Sequence, residues 1–142
     1  MSRSRTLIRV ALLLMLALVA FAARQAPAVS AAPPTDLFIS EYLESQPGNR
    51  KAIEIYNGTG SAITLTGVYN VAVYANGATT PTSIALSGSI PAGGVFVLGH
   101  TDTPAAYPSV TFNQTSGSLT FNGNDAVALR NGTTLVDVLG QI

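Results

Sequence analysis

From Asp36 onward, apolar residues recur at every second position, and this period of two most constrains the fold. Leu37, Ile39 and Glu41 alternate with Phe38, Ser40 and Tyr42; Ile53 and Ile55 alternate with Ala52, Glu54 and Tyr56; Val71 and Val73 alternate with Ala72 and Tyr74. Such alternation marks strands with one face in a core and one toward solvent. The runs are rich in β-branched and aromatic residues, which suit a pleated surface. Between them fall Asn57-Gly58, Asn76-Gly77, Gly93-Gly94, Asn122-Gly123 and Asn131-Gly132, pairs that tolerate the positive φ of tight turns. The pattern predicts strands near 37–43, 51–57, 63–66, 69–75, 82–87, 95–99, 110–112, 118–121, 126–130 and 134–139. The segment 101–109, with Pro104 and Pro108, reads as a connecting loop, and no stretch after residue 31 has the pattern of an amphipathic helix. Many short strands with frequent turns predict an all-β fold, an antiparallel sandwich or barrel.

The first 31 residues follow another logic. Arg3, Arg5 and Arg9 precede an apolar run from Val10 to Ala23, and Val29-Ser30-Ala31 offers small residues beyond it. This is the layout of a secretory signal peptide, and the run is short of the roughly 20 residues that span a bilayer. Residues 1–31 are therefore expected to be a cleaved signal, 32–35 a short leader and 36–142 the domain. The whole chain carries seven basic and seven acidic side chains. Removing the signal takes Arg3, Arg5, Arg9 and Arg24 and leaves Arg50, Lys51 and Arg130 against seven acids, a net charge of −4. Such a balance argues against strong nonspecific nucleic-acid binding, which needs clustered cations. The chain has no Cys, which excludes disulfides, thiolate zinc sites and Cys nucleophiles. An exported domain without disulfides suits a bacterial secreted or surface protein.

Few residues invite chemistry. Glu41 and Glu54 fall on adjacent predicted strands, where paired carboxylates could do acid–base work or hold Ca²⁺. The plainer reading has each accept hydrogen bonds from loop amides or from Arg50 or Lys51. Asn122-Gly123-Asn124-Asp125 lacks the spacing and distal Glu of a Ca²⁺ loop and reads as Asx-turns. His100 precedes Thr101-Asp102, yet no Ser sits in a Gly-x-Ser-x-Gly elbow; Ser87-Gly88-Ser89 and Ser116-Gly117-Ser118 read as turns. His100 is thus expected to be a strand-end residue with a local hydrogen bond. Tyr42, Tyr56, Tyr69, Tyr74 and Tyr107 are assigned to core and strand-pair packing, since a stacking platform would pair rings with cations. Arg50 and Lys51 read as solvated loop charges. Asn57-Gly58-Thr59, Asn113-Gln114-Thr115 and Asn131-Gly132-Thr133 match the glycosylation pattern and read as turns. No catalytic residue, metal ligand or cofactor is assigned.

Several segments resemble one family in order. Ile39-Ser40-Glu41-Tyr42 and Lys51-Ala52-Ile53-Glu54-Ile55-Tyr56-Asn57 resemble the opening strands of lamin-tail domains in bacterial secreted proteins. Leu65-Thr66-Gly67, the stretch Leu86 to Gly93, Asn122 to Leu129 and Val136 to Ile142 resemble its later steps. The resemblance implies an immunoglobulin-like antiparallel β-sandwich without catalytic residues of its own. It further implies a non-catalytic exported module that binds or targets a protein, surface polymer or nucleic acid. The alternative is an N-terminal accessory domain of a secreted nuclease- or phosphoesterase-type hydrolase whose catalytic domain lies beyond Ile142. Family members usually continue past the Gly-Gln-Ile step, so the chain is expected to be truncated at its C-terminus. A downstream domain of the same polypeptide, or a cell-surface partner, is then the expected contact.

Overall fold

The alternating runs become ten strands among residues 32–142, the part of the chain that the computed structural model describes. The export-signal reading of residues 1–31 falls outside the described residues. In order, the strands are β1 (Phe38–Ser45), β2 (Arg50–Tyr56), β3 (Ile63–Thr64), β4 (Tyr69–Tyr74), β5 (Thr82–Ala85), β6 (Ser89–Ile90), β7 (Val95–Gly99), β8 (Gln114–Thr115), β9 (Ala126–Asn131) and β10 (Thr134–Leu139). One sheet runs β1-β2-β7-β8, the other β10-β9-β4-β5, and β3 pairs with β6. Together they form an immunoglobulin-like β-sandwich. Among the described residues no helix is long and apolar enough to cross a membrane.

The core is the inward half of the alternation. Ile53, Ile55, Phe96 and Leu98 from the first sheet meet Val71, Val73, Val127 and Leu129 from the second. Burying each such side chain contributes about 1.5–3 kcal/mol. Leu65, Leu86, Leu119 and Phe121, all outside strands, complete the same cluster.

Several features differ from the sequence expectation, among them the short strand β6, which begins at Ser89 where a turn was expected. Residues 118–121 are not a strand, although Leu119 and Phe121 are buried. Residues 110–112 are not a strand either; the pairing comes just after them, at β8. The β8 strand lies parallel to β7, with Leu98 opposite Gln114, so the sandwich is not wholly antiparallel. Such a pair needs a crossover connection, and residues 100–113 supply it. Within this connection Thr103–Ala106 forms a one-turn helix, α1, where only a loop was expected. Pro104 lies in its first turn, where a missing N–H costs nothing.

Two bulges reset the alternation. In β1 the register with β2 shifts between Ile39 and Glu41, so Ser40 is the extra residue. Ile39 opposes Ile55, but Glu41 opposes Glu54 and Tyr42 opposes Ile53. A one-residue insertion exchanges the faces of everything after it. Glu41 therefore leaves the face it was expected to share with Leu37 and Ile39. A second shift lies between Leu135 and Asp137 in β10.

Side chains close the sandwich on both flanks. The Asp137 carboxylate accepts the Ile39 amide at 2.8 Å, joining β10 to the edge strand β1. On the other flank Gln114 Nε2 donates to the Ala85 carbonyl at 2.9 Å, and its Oε1 accepts the Ser87 amide at 3.1 Å. Each bond occupies an edge group that would otherwise invite pairing with another chain.

Tyr69 ties the segment just before β1 to the second sheet. Its hydroxyl donates to Asp36 Oδ1 at 2.6 Å, and the same oxygen accepts the Leu37 amide at 2.7 Å. Burial first, then the hydrogen bond and charge of Asp36, push the phenol up to about 12 from an ordinary 10.0. The folded state holds this proton more tightly than the unfolded chain does. The resulting stability is complete below pH 10.0 and is lost as pH rises toward about 12. Melting temperature measured from pH 8 to 12 should fall more steeply for the wild type than for Tyr69→Phe. Parallel curves would show that Tyr69 does not carry this dependence.

Candidate functional site

The outer face of the β1-β2-β7-β8 sheet gathers Glu54 and the Glu41 that the bulge turned outward. Glu41 and Glu54 are direct cross-strand partners, which places their Cβ atoms about 5 Å apart. Like charges directly opposed are destabilising. Glu54 Oε1 accepts the hydroxyl of Ser40, the bulged residue, at 2.7 Å. Neither carboxylate has a cation within salt-bridge distance among the described residues. The sequence expectation of partners at Arg50 or Lys51 is thus not met.

Beside the carboxylates the sheet surface turns apolar. Leu43, Ala52 and Val97 form a floor, and Tyr107, Val110 and Phe112 of the crossover connection form a wall. The open groove between them measures about 310 Å³. Gly99 sets the position of the wall: a Cβ there would lie 2.6 Å from the Phe112 ring. The groove thus combines an apolar trough with two carboxylates and the ring of Tyr107.

Lys51 is the clearest departure from expectation. It is 2 % exposed and lies within β2, not in a solvated loop. Residues 51, 53 and 55 share one face of the strand, so Lys51 follows the two isoleucines inward. Its Nζ donates to Glu44 Oε1 at 3.1 Å and lies 5.8 Å from the centroid of the Phe121 ring. A buried ammonium needs such a partner and gains from a ring face. The carbonyl of Lys51 accepts both the His100 amide and the Thr103 hydroxyl, each at 2.8 Å. The inward periodicity of Ile53 and Ile55 was the signal for this burial.

His100 is buried at the end of β7, away from the carboxylate pair. Its Nδ1 accepts the Asp102 amide at 3.1 Å, with Asp102 Oδ2 3.5 Å away. A nitrogen that accepts the amide has no proton to offer the carboxylate, so the contact is a local turn bond. Asp125 is likewise engaged: its oxygens accept the Asn76 amide at 2.7 Å and the Asn122 amide at 2.9 Å. Among the described residues, no group of three or more His, Asp or Glu side chains is placed to hold a metal ion.

The tyrosines divide among several roles. Tyr69 is buried; Tyr56 meets Phe38 edge to face at 5.4 Å; Tyr42 is exposed, with its ring 5.8 Å from that of Phe121. Tyr107 belongs to the groove. Asn57 is fully buried and its amide nitrogen donates to two carbonyls, so it is closed to glycosylation. Sequence reasoning singled out Glu41, Glu54 and the tyrosines but not Val97, Val110 or Phe112. Only the crossover connection brings those three to the carboxylates.

The lamin tail domain family model matches residues 30–142. No curated protein matches the chain.

Proposed function

Because the chain belongs to the lamin tail domain family, whose immunoglobulin-like modules are non-catalytic, we propose that it is an exported binding module acting through the outer face of its first sheet. The groove beside Glu41 and Glu54 carries this reading. It combines apolar surface with polar groups that can fix orientation, the usual makeup of a recognition site. Export rests on the basic-then-apolar pattern of residues 1–31. The engaged states of His100 and Asp125 support a role without catalysis.

The chain has no Cys, which allows a single thiol to be placed at will. A bulky fluorescent maleimide on Val110→Cys should abolish saturable retention of the chain on its producing cells. The same label on Thr133→Cys, in the β9–β10 turn, should leave retention intact. The chain should also leave p-nitrophenyl phosphate and its bis-ester unhydrolysed in the presence of Mg²⁺, Mn²⁺ or Zn²⁺. Absent retention would remove the binding role. Equal loss from both labels would remove the groove as its site, and hydrolysis would remove the non-catalytic assignment.

A further inference from the structure

We infer that the groove takes an arginine side chain presented by an extended segment of a protein partner. This inference deepens the binding reading above and rests on it. Three observations converge on a cationic, long-stemmed occupant.

The first is the facing pair itself. Glu41 and Glu54 stand opposite one another without a cation, an arrangement that disfavours the free sheet. A cation between them converts that repulsion into attraction on binding. Ser40 holds one oxygen of Glu54 and so fixes the carboxylate, while no hydrogen bond to its other oxygen is found among the described residues. Glu41 makes no side-chain bond among them.

The second is the trough. Leu43, Val97 and Val110 offer apolar surface for a methylene stem, and Tyr107 and Phe112 offer rings beside it. A guanidinium matches this better than an ammonium. Its planar fork can reach two carboxylates together, it stacks on aromatic faces, and it is more weakly hydrated. The third is charge. Residues 32–142 carry three cations against seven acids, and Lys51 is already committed to Glu44. The net negative domain therefore favours a cationic ligand over an anionic one.

The probe is a capped pentapeptide with one central arginine among glycine and serine, titrated into the isotope-labelled chain by NMR. Shifts should concentrate at Glu41, Glu54, Val97, Tyr107 and Phe112. Replacing arginine by citrulline, its neutral isostere, should weaken binding about tenfold, the value of one charge-assisted hydrogen bond. E41Q and E54Q should each cost a similar factor. Both variants should keep or slightly raise the melting temperature of the free chain, because the facing repulsion is gone; this shows that lost binding is not lost fold. Equal affinity for citrulline, equal affinity for lysine, or unchanged binding by E54Q would overturn the inference. So would dimerisation through the groove without peptide binding, which would make a second copy the occupant. A chain that ignores the peptide yet loses cell retention when labelled at Val110→Cys refutes this inference alone. Absent retention refutes the binding role itself.

Discussion

Asn57→Ala is expected to be among the most damaging single substitutions in the sandwich, although the residue sits in a turn signal. The side chain is 0 % exposed. Its Nδ2 donates to the Ser61 carbonyl at 2.8 Å and the Ile90 carbonyl at 2.9 Å. Its Oδ1 accepts the Thr59 amide at 3.0 Å and the Thr59 hydroxyl at 2.6 Å. One amide thus fixes the turn after β2 and ties it to β6. Truncation to Ala leaves the buried Ile90 carbonyl without its donor and frees the Thr59 amide, while the Ser61 carbonyl keeps the Thr59 hydroxyl at 3.0 Å. An unsatisfied buried group costs about 1–3 kcal/mol and each lost turn bond adds about 1 kcal/mol, so a loss of about 3 kcal/mol is expected. For a domain of this size that lowers the melting temperature by roughly 12 °C or more. Asn57→Asp separates hydrogen bonding from packing. It keeps the volume and the Oδ1 acceptor but turns a second acceptor on two carbonyls, and it should be at least as harmful at neutral pH. Thermal or urea unfolding checks both; an Asp variant as stable as wild type would show that the donors do not matter.

Leu119→Ala should cost about 3 kcal/mol, and Phe121→Ala about 3–5 kcal/mol, in the range of large-to-small core changes. Neither residue lies in a strand, yet they are 0 % and 2 % exposed. Phe121 has a second duty: Lys51 Nζ lies 5.8 Å from its ring centroid, so its loss also strips a buried ammonium of its aromatic neighbour. Thr120→Ala, between them and exposed, should change stability by less than about 0.5 kcal/mol. Urea midpoints for the three variants test the contrast. A small effect at Leu119 would mean that the 118–121 segment lies on the sandwich rather than in it.

The same segment shows how far the sequence could be read. Leu119-Thr120-Phe121 alternates like a strand, and burial follows that alternation faithfully. Whether the backbone also joins a ladder depends on a neighbouring edge, which local pattern does not encode. The β1 strand shows the same limit. Period two from Leu37 through Ile39 places Glu41 on the inner face, but the extra residue at Ser40 moves it outside, opposite Glu54. Nothing local distinguishes a bulged serine from an ordinary outward one. At Lys51 the information was present in the parity it shares with Ile53 and Ile55, and its charge obscured it.

By itself, the sequence determined the elements: the all-β class, the strand positions near β1, β2, β4, β7, β9 and β10, the turns between them and most of the core. These follow from interactions between near neighbours, namely alternation, β-propensity and the φ freedom of Asn-Gly and Gly-Gly pairs. Only the tertiary structure decided which residues meet. It set the two bulges, the parallel β7–β8 pair and the burial of Lys51 against Glu44. It also brought Tyr107, Val110 and Phe112 to the carboxylates of Glu41 and Glu54. Register and crossover path are fixed by contacts between residues far apart in the chain, so the site exists only once the sheets have closed.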